Sequence, residues 1–457
     1  MDSIQSSLQL IVQTMLNDVV NTLSSYNLKG CLYMRNLAKR NYWSLSVFNF
    51  AYLFTWSAAM SFFVIWLGQS LGISETYTGF LYAANSIVAL IMQPLFGYLS
   101  DKLGLRKHLL YILFTILLLV GPFFIYVYGP LLQTQFVIGA IVGALFIGLV
   151  FNAGNGVVDS YMDKVSRKYG FEYGRVRMWG SLGWAAATFV AGRVININVN
   201  LTFWIASVSA VVAMICIFLT KVEISGQEQQ KTESLKLTDV LHLVRTTKFW
   251  FLMLFMVGVT QIYEVYDQQF ATYFVSQFSS KAEGNQFLGD LSAVQVFLEF
   301  VFLFVTPWFV NKTTAKWALI IAGAIMSLRI IGSSLPFGSI WVAAMKMIHS
   351  LEKPLILVAI FKYITVNFDQ RLSSTMYLLY LFMGSLVVSV FSPIVGHMYE
   401  VLNFPITYVI LGSIAGLFTI ISCFTLTADK KNGERYLEER RKQDLKRSAK
   451  KAEAVHS

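Results

Sequence analysis

Two stretches, GYLSDKLGLRK at 97–107 and PWFVNKTTAKW at 307–317, are weak copies of one another. Asp101 and Lys102 correspond to Asn311 and Lys312, and Arg106 corresponds to Lys316. Each stretch closes an apolar window of roughly 20 residues, the length that crosses a bilayer as a helix. Such windows recur from Trp43 to the region of Ala428, and we count twelve: 43–67, 77–99, 108–130, 134–162, 174–195, 202–220, 248–275, 286–310, 317–337, 339–364, 372–399 and 404–427. The longest polar break, Lys221 to Lys248, divides them into two sets of six. The duplicated motif therefore falls after the second span of each set.

Composition leads to the same class. Of 457 residues 56% are hydrophobic and only 13% charged, with a mean hydropathy of +0.59. A soluble globule carries about 25% charged residues. Lipid offers no hydrogen-bond partner to an open strand edge, and the windows are longer than barrel strands, so helices are required. The expectation is an all-α polytopic membrane protein of twelve transmembrane helices in two pseudo-symmetric six-helix halves. Its parts are an N-terminal extension (1–41), a first half (42–220), a central loop (221–247), a second half (248–428) and a basic tail (429–457).

Orientation follows from lysine and arginine, which accumulate in short cytoplasmic loops. Lys102, Arg106, Lys107, Lys164, Arg167, Lys168, Arg175, Lys312, Lys316, Lys362 and Arg371 lie on one side, and only Arg193 and Lys281 on the other. Both termini are expected in the cytoplasm, with the chain in the cell membrane. The net charge of +11 records this topology. The mixed-sign tail reads as a solvated helix or disorder, and no nucleic-acid site is assigned to it. Cys31, Cys216 and Cys423 are dispersed, which gives neither a metal site nor a disulfide framework. The first 40 residues hold an amphipathic pattern, LQLIVQTMLNDVVNTL, without the basic start and continuous apolar core of a cleaved signal peptide; an interfacial helix, or a start codon assigned too far upstream, fits it.

The tenth window contains MKMIHSLEKP, 345–354. At 100° per residue Lys346, His349, Glu352 and Lys353 fall within an arc of about 120°. Other windows contribute Asp159, Arg177, Glu264, Asp267, Glu299 and Arg329. A charge at mid-bilayer is costly, so such residues face a cavity or one another and mark ion or substrate pathways. A single pair would serve to tie two helices together. This group is larger, and a carboxyl in excess of its bases can hold a proton where desolvation outweighs attraction. Proton coupling is the inference.

Two six-helix halves with this loop motif are the layout of the major facilitator superfamily. Within it the chain resembles the oligosaccharide:proton symporters, the family of the lactose and sucrose permeases, from about Tyr42 to Leu426. The resemblance is densest in FNAGNGVVDSYMDKVSRKYGFEYGRVRMWGSLGW, YEVYDQQF, MSLRIIGSS, KMIHSLEKP and FKYITVNFDQRLSS. It implies that Asp159 and Arg177 hold the sugar, a carboxylate and a guanidinium being suited to several hydroxyls at fixed angles. Ser181 and Trp184 follow on the same helical stripe, where the indole can stack on a sugar ring, and Asn155 lies one turn before Asp159. It also implies that Arg329, His349 and Glu352 link proton to sugar, with Glu352 the proton carrier, and that Lys346 pairs with Asp267. Gly97, Asp101, Lys102 and Arg106 belong to the loop signature, in which the acid pairs with the basic cluster and latches one conformation.

Three residues depart from the lactose permease pattern. Val296 stands where that pattern has an acid, with Glu299 three residues later; Glu264 keeps an acid whose lysine partner is replaced by Ser385; and Lys353 adds a base. Glu264 is expected to pair with Lys353 or Lys346, or to titrate itself. Glu299 and the serine of RMWGSLGW favour sucrose or a related oligosaccharide as substrate, whereas Trp184 fits the galactoside pattern. A multidrug exporter and an uncoupled facilitator of the same fold are the rival readings. No enzyme is expected, since His108, His242, His397 and His456 are scattered and no nucleophile or metal-ligand set accompanies His349. The proton gradient replaces any cofactor, the partners are sugar, proton and lipid, and the carrier is expected to be a monomer.

Overall fold

A computed structural model describes residues 33–223, 245–368 and 373–427. The described residues are helical, without strands. In the first half the helices are α1 (Tyr33–Ser70), α2 (Glu75–Leu103), α3 (His108–Leu118 and Val120–Thr134, bent by 47°), α4 (Phe136–Tyr169), α5 (Tyr173–Val194) and α6 (Val199–Leu219). In the second half they are α7 (Thr247–Gln268), α8 (Lys281–Thr313), α9 (Ala315–Gly332) and α10 (Ser339–Asn367). One continuous stretch, Ser373–Thr425, is broken at Asn403 (φ 65°) into α11 before it and α12 after it.

Each expected window coincides with a helix. By length and apolarity alone eight of these helices could cross a membrane, or nine with the bent pair, when Leu379–Thr425 is taken as one. α5 and α10 fall outside that count, and both carry several charged residues. α1 is described from Tyr33, ten residues before the expected span. The amphipathic pattern before it, most of the central loop and the basic tail lie outside the described residues.

Each half has its own apolar interior. Phe48, Phe63, Phe114, Phe151 and Phe203 centre the first, and Phe255, Tyr266, Phe274, Leu319 and Tyr363 centre the second. Side chains such as Ile91, Val208, Phe304, Leu328 and Phe424 point outward and are exposed, as a lipid-facing surface requires.

The internal repeat extends to main-chain geometry. α2 ends at Gly104 (φ 58°) and α8 at Thr314 (φ 76°), the corresponding position. Lys164 Nζ donates to the Ser100 carbonyl (2.8 Å) and Asp101 Oδ1 (3.0 Å), which joins the end of α4 to α2. Lys362 Nζ donates to the Val310 carbonyl (2.9 Å) and Asn311 Oδ1 (3.0 Å), which joins α10 to α8 in the same way. Asp101 is thus paired with Lys164. Gly97 has open space around its α-carbon.

The halves meet closely at the end remote from these lysines. A Cβ placed on Gly192 of α5 would lie 2.9 Å from Gly289 Cα and 2.9 Å from the Asn285 carbonyl of α8. One on Gly79 of α2 would lie 2.3 Å from the Ser392 carbonyl of α11. Only residues lacking a Cβ permit this approach. Around the contacts Arg193 makes a bidentate pair with Asp290 (2.6 and 3.2 Å), Asn285 donates to Asn196 (3.0 Å), and Thr76 donates to Glu400 through its backbone N–H (3.1 Å) and its hydroxyl (2.7 Å). The molecule is zipped along this seam.

Candidate substrate and coupling site

In the first half, π-helical turns at Gly148–Ala153 interrupt α4 just before the polar segment Gly154–Tyr169. Such bulges re-aim the side chains that follow them. Asn155 donates to Asp159 Oδ2 (3.2 Å), and Arg177 Nε of α5 lies 3.5 Å from Asp159 Oδ1. Both members of the pair are about a third accessible, 28% for Asp159 and 35% for Arg177. Tyr173 stands at the start of α5, one turn before Arg177.

Trp184 lies two turns beyond Arg177, half-buried, with Ser181 between them. Its indole meets Trp56 edge-on at 5.7 Å, and Ser57 Oγ donates to its carbonyl (3.1 Å). Trp56 in turn stacks on Phe151 at 5.8 Å. Ser181 makes no hydrogen bond among the described residues. The expected stripe is present, with one face of Trp184 supported by an aromatic stack.

The second half repeats the device. π-helical turns at Met256–Thr260 precede the segment of α7 that carries Glu264 and Asp267. Lys346 of α10 pairs with Asp267, as expected, and its ammonium also sits 4.6 Å from the centre of the Phe270 ring. Arg329 of α9 donates to Glu352 Oε1 from Nη2 (2.6 Å) and Nε (3.1 Å), with both side chains fully buried. His349 Nδ1 lies 2.8 Å from the same oxygen. Tyr263 stacks on the imidazole at 4.1 Å and, with Tyr266, flanks the guanidinium at 5.2 and 5.4 Å.

Three atoms of this buried cluster have no hydrogen-bond partner among the described residues: Arg329 Nη1, His349 Nε2 and Glu352 Oε2. Buried polar groups are otherwise nearly always satisfied, because an unpaired one costs about 1–3 kcal/mol. Such atoms suit an exchangeable proton and a hydroxyl ligand.

Glu299 of α8 accepts from Gln295 Nε2 (2.8 Å), lies 3.8 Å from His349 Nε2, and pairs with Lys353 Nζ at 3.2 Å. This corrects the pairing expected from sequence. Lys353 is held by Glu299, and Glu264, which is exposed, has no ion pair within 4 Å and no hydrogen bond among the described residues. Spacing alone does not decide between them: Glu264 and Asp267 share one side of α7, and Lys346 and Lys353 share one side of α10, but Glu299 of α8 stands nearer to the Lys353 ammonium.

The charged groups form two sets, Asp159 with Arg177 in one half and the linked groups of α7–α10 in the other. A separate cavity of about 270 Å³, lined by Trp66, Gln69, Asn196, Lys281 and Asn285, lies at the seam and touches neither set. Sequence reading missed Trp56, Tyr173, Tyr263 and Gln295. Tyr263 was within reach of it, lying beside Glu264 in YEVYDQQF; Trp56 carries no charge and no motif to mark it.

Residues 34–439 match the family described as LacY proton/sugar symporter. The melibiose permease of Enterobacter cloacae is 38% identical over 398 residues, 85% of this chain and 93% of that one. The lactose permease of Citrobacter freundii is 40% identical over 401 residues (86% and 96%), and the sucrose permease of Escherichia coli 35% over 397 (86% and 95%). Among solved structures the nucleoside transporter NupG superposes with a TM-score of 0.68 at 15% identity, over 84% of this chain and 98% of that one. At that identity the likeness concerns the fold, which is that of the major facilitator superfamily. A duplicated six-helix architecture, a buried carboxylate–guanidinium–imidazole cluster and family identity along most of the chain agree: this chain belongs to the LacY proton/sugar symporter family.

Proposed function

We propose that the protein carries a disaccharide or small oligosaccharide together with a proton by alternating access, with a sucrose-like sugar favoured and galactosides such as melibiose, lactose or raffinose as the second class. The observation that carries this reading is the buried Arg329–Glu352–His349 cluster with three unpartnered polar atoms. A proton on Glu352 Oε2 neutralises the carboxyl while Oε1 goes on accepting from Arg329. His349 Nε2 is left to a sugar hydroxyl, so proton and sugar meet through one imidazole. Asp159 and Arg177 hold the sugar from the other half, Trp184 stacks on it, and Asn155, Ser181 and Glu299 supply further hydrogen bonds. Asp267, Lys346 and Glu264 keep the charge around Glu352 in balance.

Read with the lysine-rich loops inside, the zipped seam is the outer face and the cleft opens to the cytoplasm. The same reading has all twelve helices crossing the cell membrane, both termini in the cytoplasm, and the loop motif of Gly97, Asp101, Lys102 and Arg106 at the inner gate. The carrier works as a monomer and draws its energy from the proton gradient without a cofactor. An uncoupled facilitator of this fold would have no use for the Arg329–Glu352 pair.

The test is Glu352→Gln. The amide oxygen still accepts from Arg329 and His349, but the group no longer titrates. Uphill accumulation of sugar should disappear, with equilibrium exchange retained and with no alkalinisation when sugar is added to de-energised cells. Loss of exchange along with accumulation overturns the assignment.

A further inference from the structure

Glu299 and Glu264 share a single exposed base. Lys353 Nζ touches Glu299 Oε2 alone, at 3.2 Å, and its side chain is 56% accessible while that of Glu299 is 12% accessible. The other Glu299 oxygen is occupied by Gln295. Glu264 is exposed and unpaired on α7 and is coupled electrostatically to Lys353. Of the remaining charges around this base, Asp267 is engaged by Lys346, and Glu352 by Arg329 and His349. Only Glu299 and Glu264 compete for it.

The reach is sufficient. α7 and α10 run in opposite directions and are pinned together by the Asp267–Lys346 pair. From that pin Glu264 lies about 4.5 Å along the axis and Lys353 about 10 Å, in the same direction, at 1.5 Å per residue. The offset of about 6 Å is what the four-carbon stem of a lysine spans.

We propose that Lys353 is a movable counter-ion, which neutralises Glu299 in the empty carrier and passes to Glu264 when sugar hydroxyls take its place. In the empty state the bare carboxylate is Glu264, which is cheap to leave in water. When sugar donates to Glu299 and the cleft closes, a bare ammonium beside a bare Glu264 would both be desolvated; pairing them removes that cost. The second acid on α7 is thus the receiving dock, and together the two residues set how readily sugar displaces the internal cation. This rests on the symport reading, with Glu299 at the sugar.

The experiment is a double-mutant cycle on sugar binding, by calorimetry of the purified full chain with melibiose and with sucrose. Glu264→Gln should weaken binding about fivefold, the equivalent of a partly exposed ion pair. In a Lys353→Met background the same change should have no effect, while Lys353→Met alone should bind at least as tightly as wild type. Lys353→Arg keeps the cation and should restore sensitivity to Glu264→Gln, with melting curves separating misfolding from altered affinity. An equal effect of Glu264→Gln in both backgrounds, or none in either, overturns the proposal while leaving sugar binding intact. Absence of binding in wild type overturns the symport reading and this proposal with it.

Discussion

Gly192→Ala is a one-carbon test of the seam. The added methyl would meet Gly289 Cα and the Asn285 carbonyl at 2.9 Å, both atoms of a helix backbone that cannot rotate aside. Ordinary contact begins near 3.4 Å, so α5 and α8 must part by about half an ångström or more, and overpacking of this kind costs about 1–3 kcal/mol. The cost falls on the zipped state alone, because in the open state the helices are already apart. An imbalance of about 1–3 kcal/mol shifts the equilibrium by about 5- to 150-fold towards opening at this end. The strain also bears on the Arg193–Asp290 pair and the Asn196–Asn285 hydrogen bond, which flank the contact. The readout is alkylation by an impermeant maleimide of Ser292→Cys, one turn below Gly289, in a chain whose three native cysteines are serine. Its rate should rise at least about fivefold, while Gly174→Ala, whose methyl meets nothing within 4 Å, should leave it unchanged. An unaltered rate in a folded Gly192→Ala protein would refute the claim that backbone contact holds the seam.

Three further outcomes are expected. Arg329→Met leaves Glu352 buried without its cation and should lower stability by about 3–5 kcal/mol, seen as a lower melting temperature; Arg329→Met with Glu352→Leu should recover most of the stability but no uphill transport. Thr314→Gly should raise the melting temperature, because a β-branched residue at φ 76° carries about 1–2 kcal/mol of local strain that glycine lacks; no change would mean that the turn relaxes at no cost. Asp159→Ala and Arg177→Ala should each suppress sugar binding itself, and wild-type affinity in either one removes the pair from the site.

The helices and the charged face of α10 were legible because both follow from periodicity: about 20 apolar residues must span, and residues three, four and seven apart must share a side. Asp159–Arg177 and Lys346–Asp267 were expected as pairs and are pairs; Arg329, His349 and Glu352 were expected to act together and are in contact. Partner choice among several charges was not legible. Whether Lys353 meets Glu264 or Glu299 depends on how α7, α8 and α10 are rotated about their axes, and bulky neighbours set that rotation. The seam was hidden for another reason. Gly192, Gly289 and Gly79 look like any glycines in a helix rich in small residues, and only the approach of a second backbone gives them a task. Arg193, which in the sequence counts only towards the charge of the loops, is one half of a clasp between the halves.

The two halves also differ in an instructive way. Gly104 and Thr314 turn the chain with the same sign of φ, and the Ser100 and Val310 carbonyls both receive a lysine from two helices away. Aspartate faces one of those lysines and asparagine the other; glycine makes one of those turns and threonine the other. What the duplicated segments share is therefore written in main-chain atoms, while their side chains have diverged even where divergence costs strain. Two arms built this way share a main-chain frame and differ in the charges they carry. One keeps a single carboxylate–guanidinium pair, and the other a linked set of acids and bases. Likeness of scaffold with unlikeness of charge is the result.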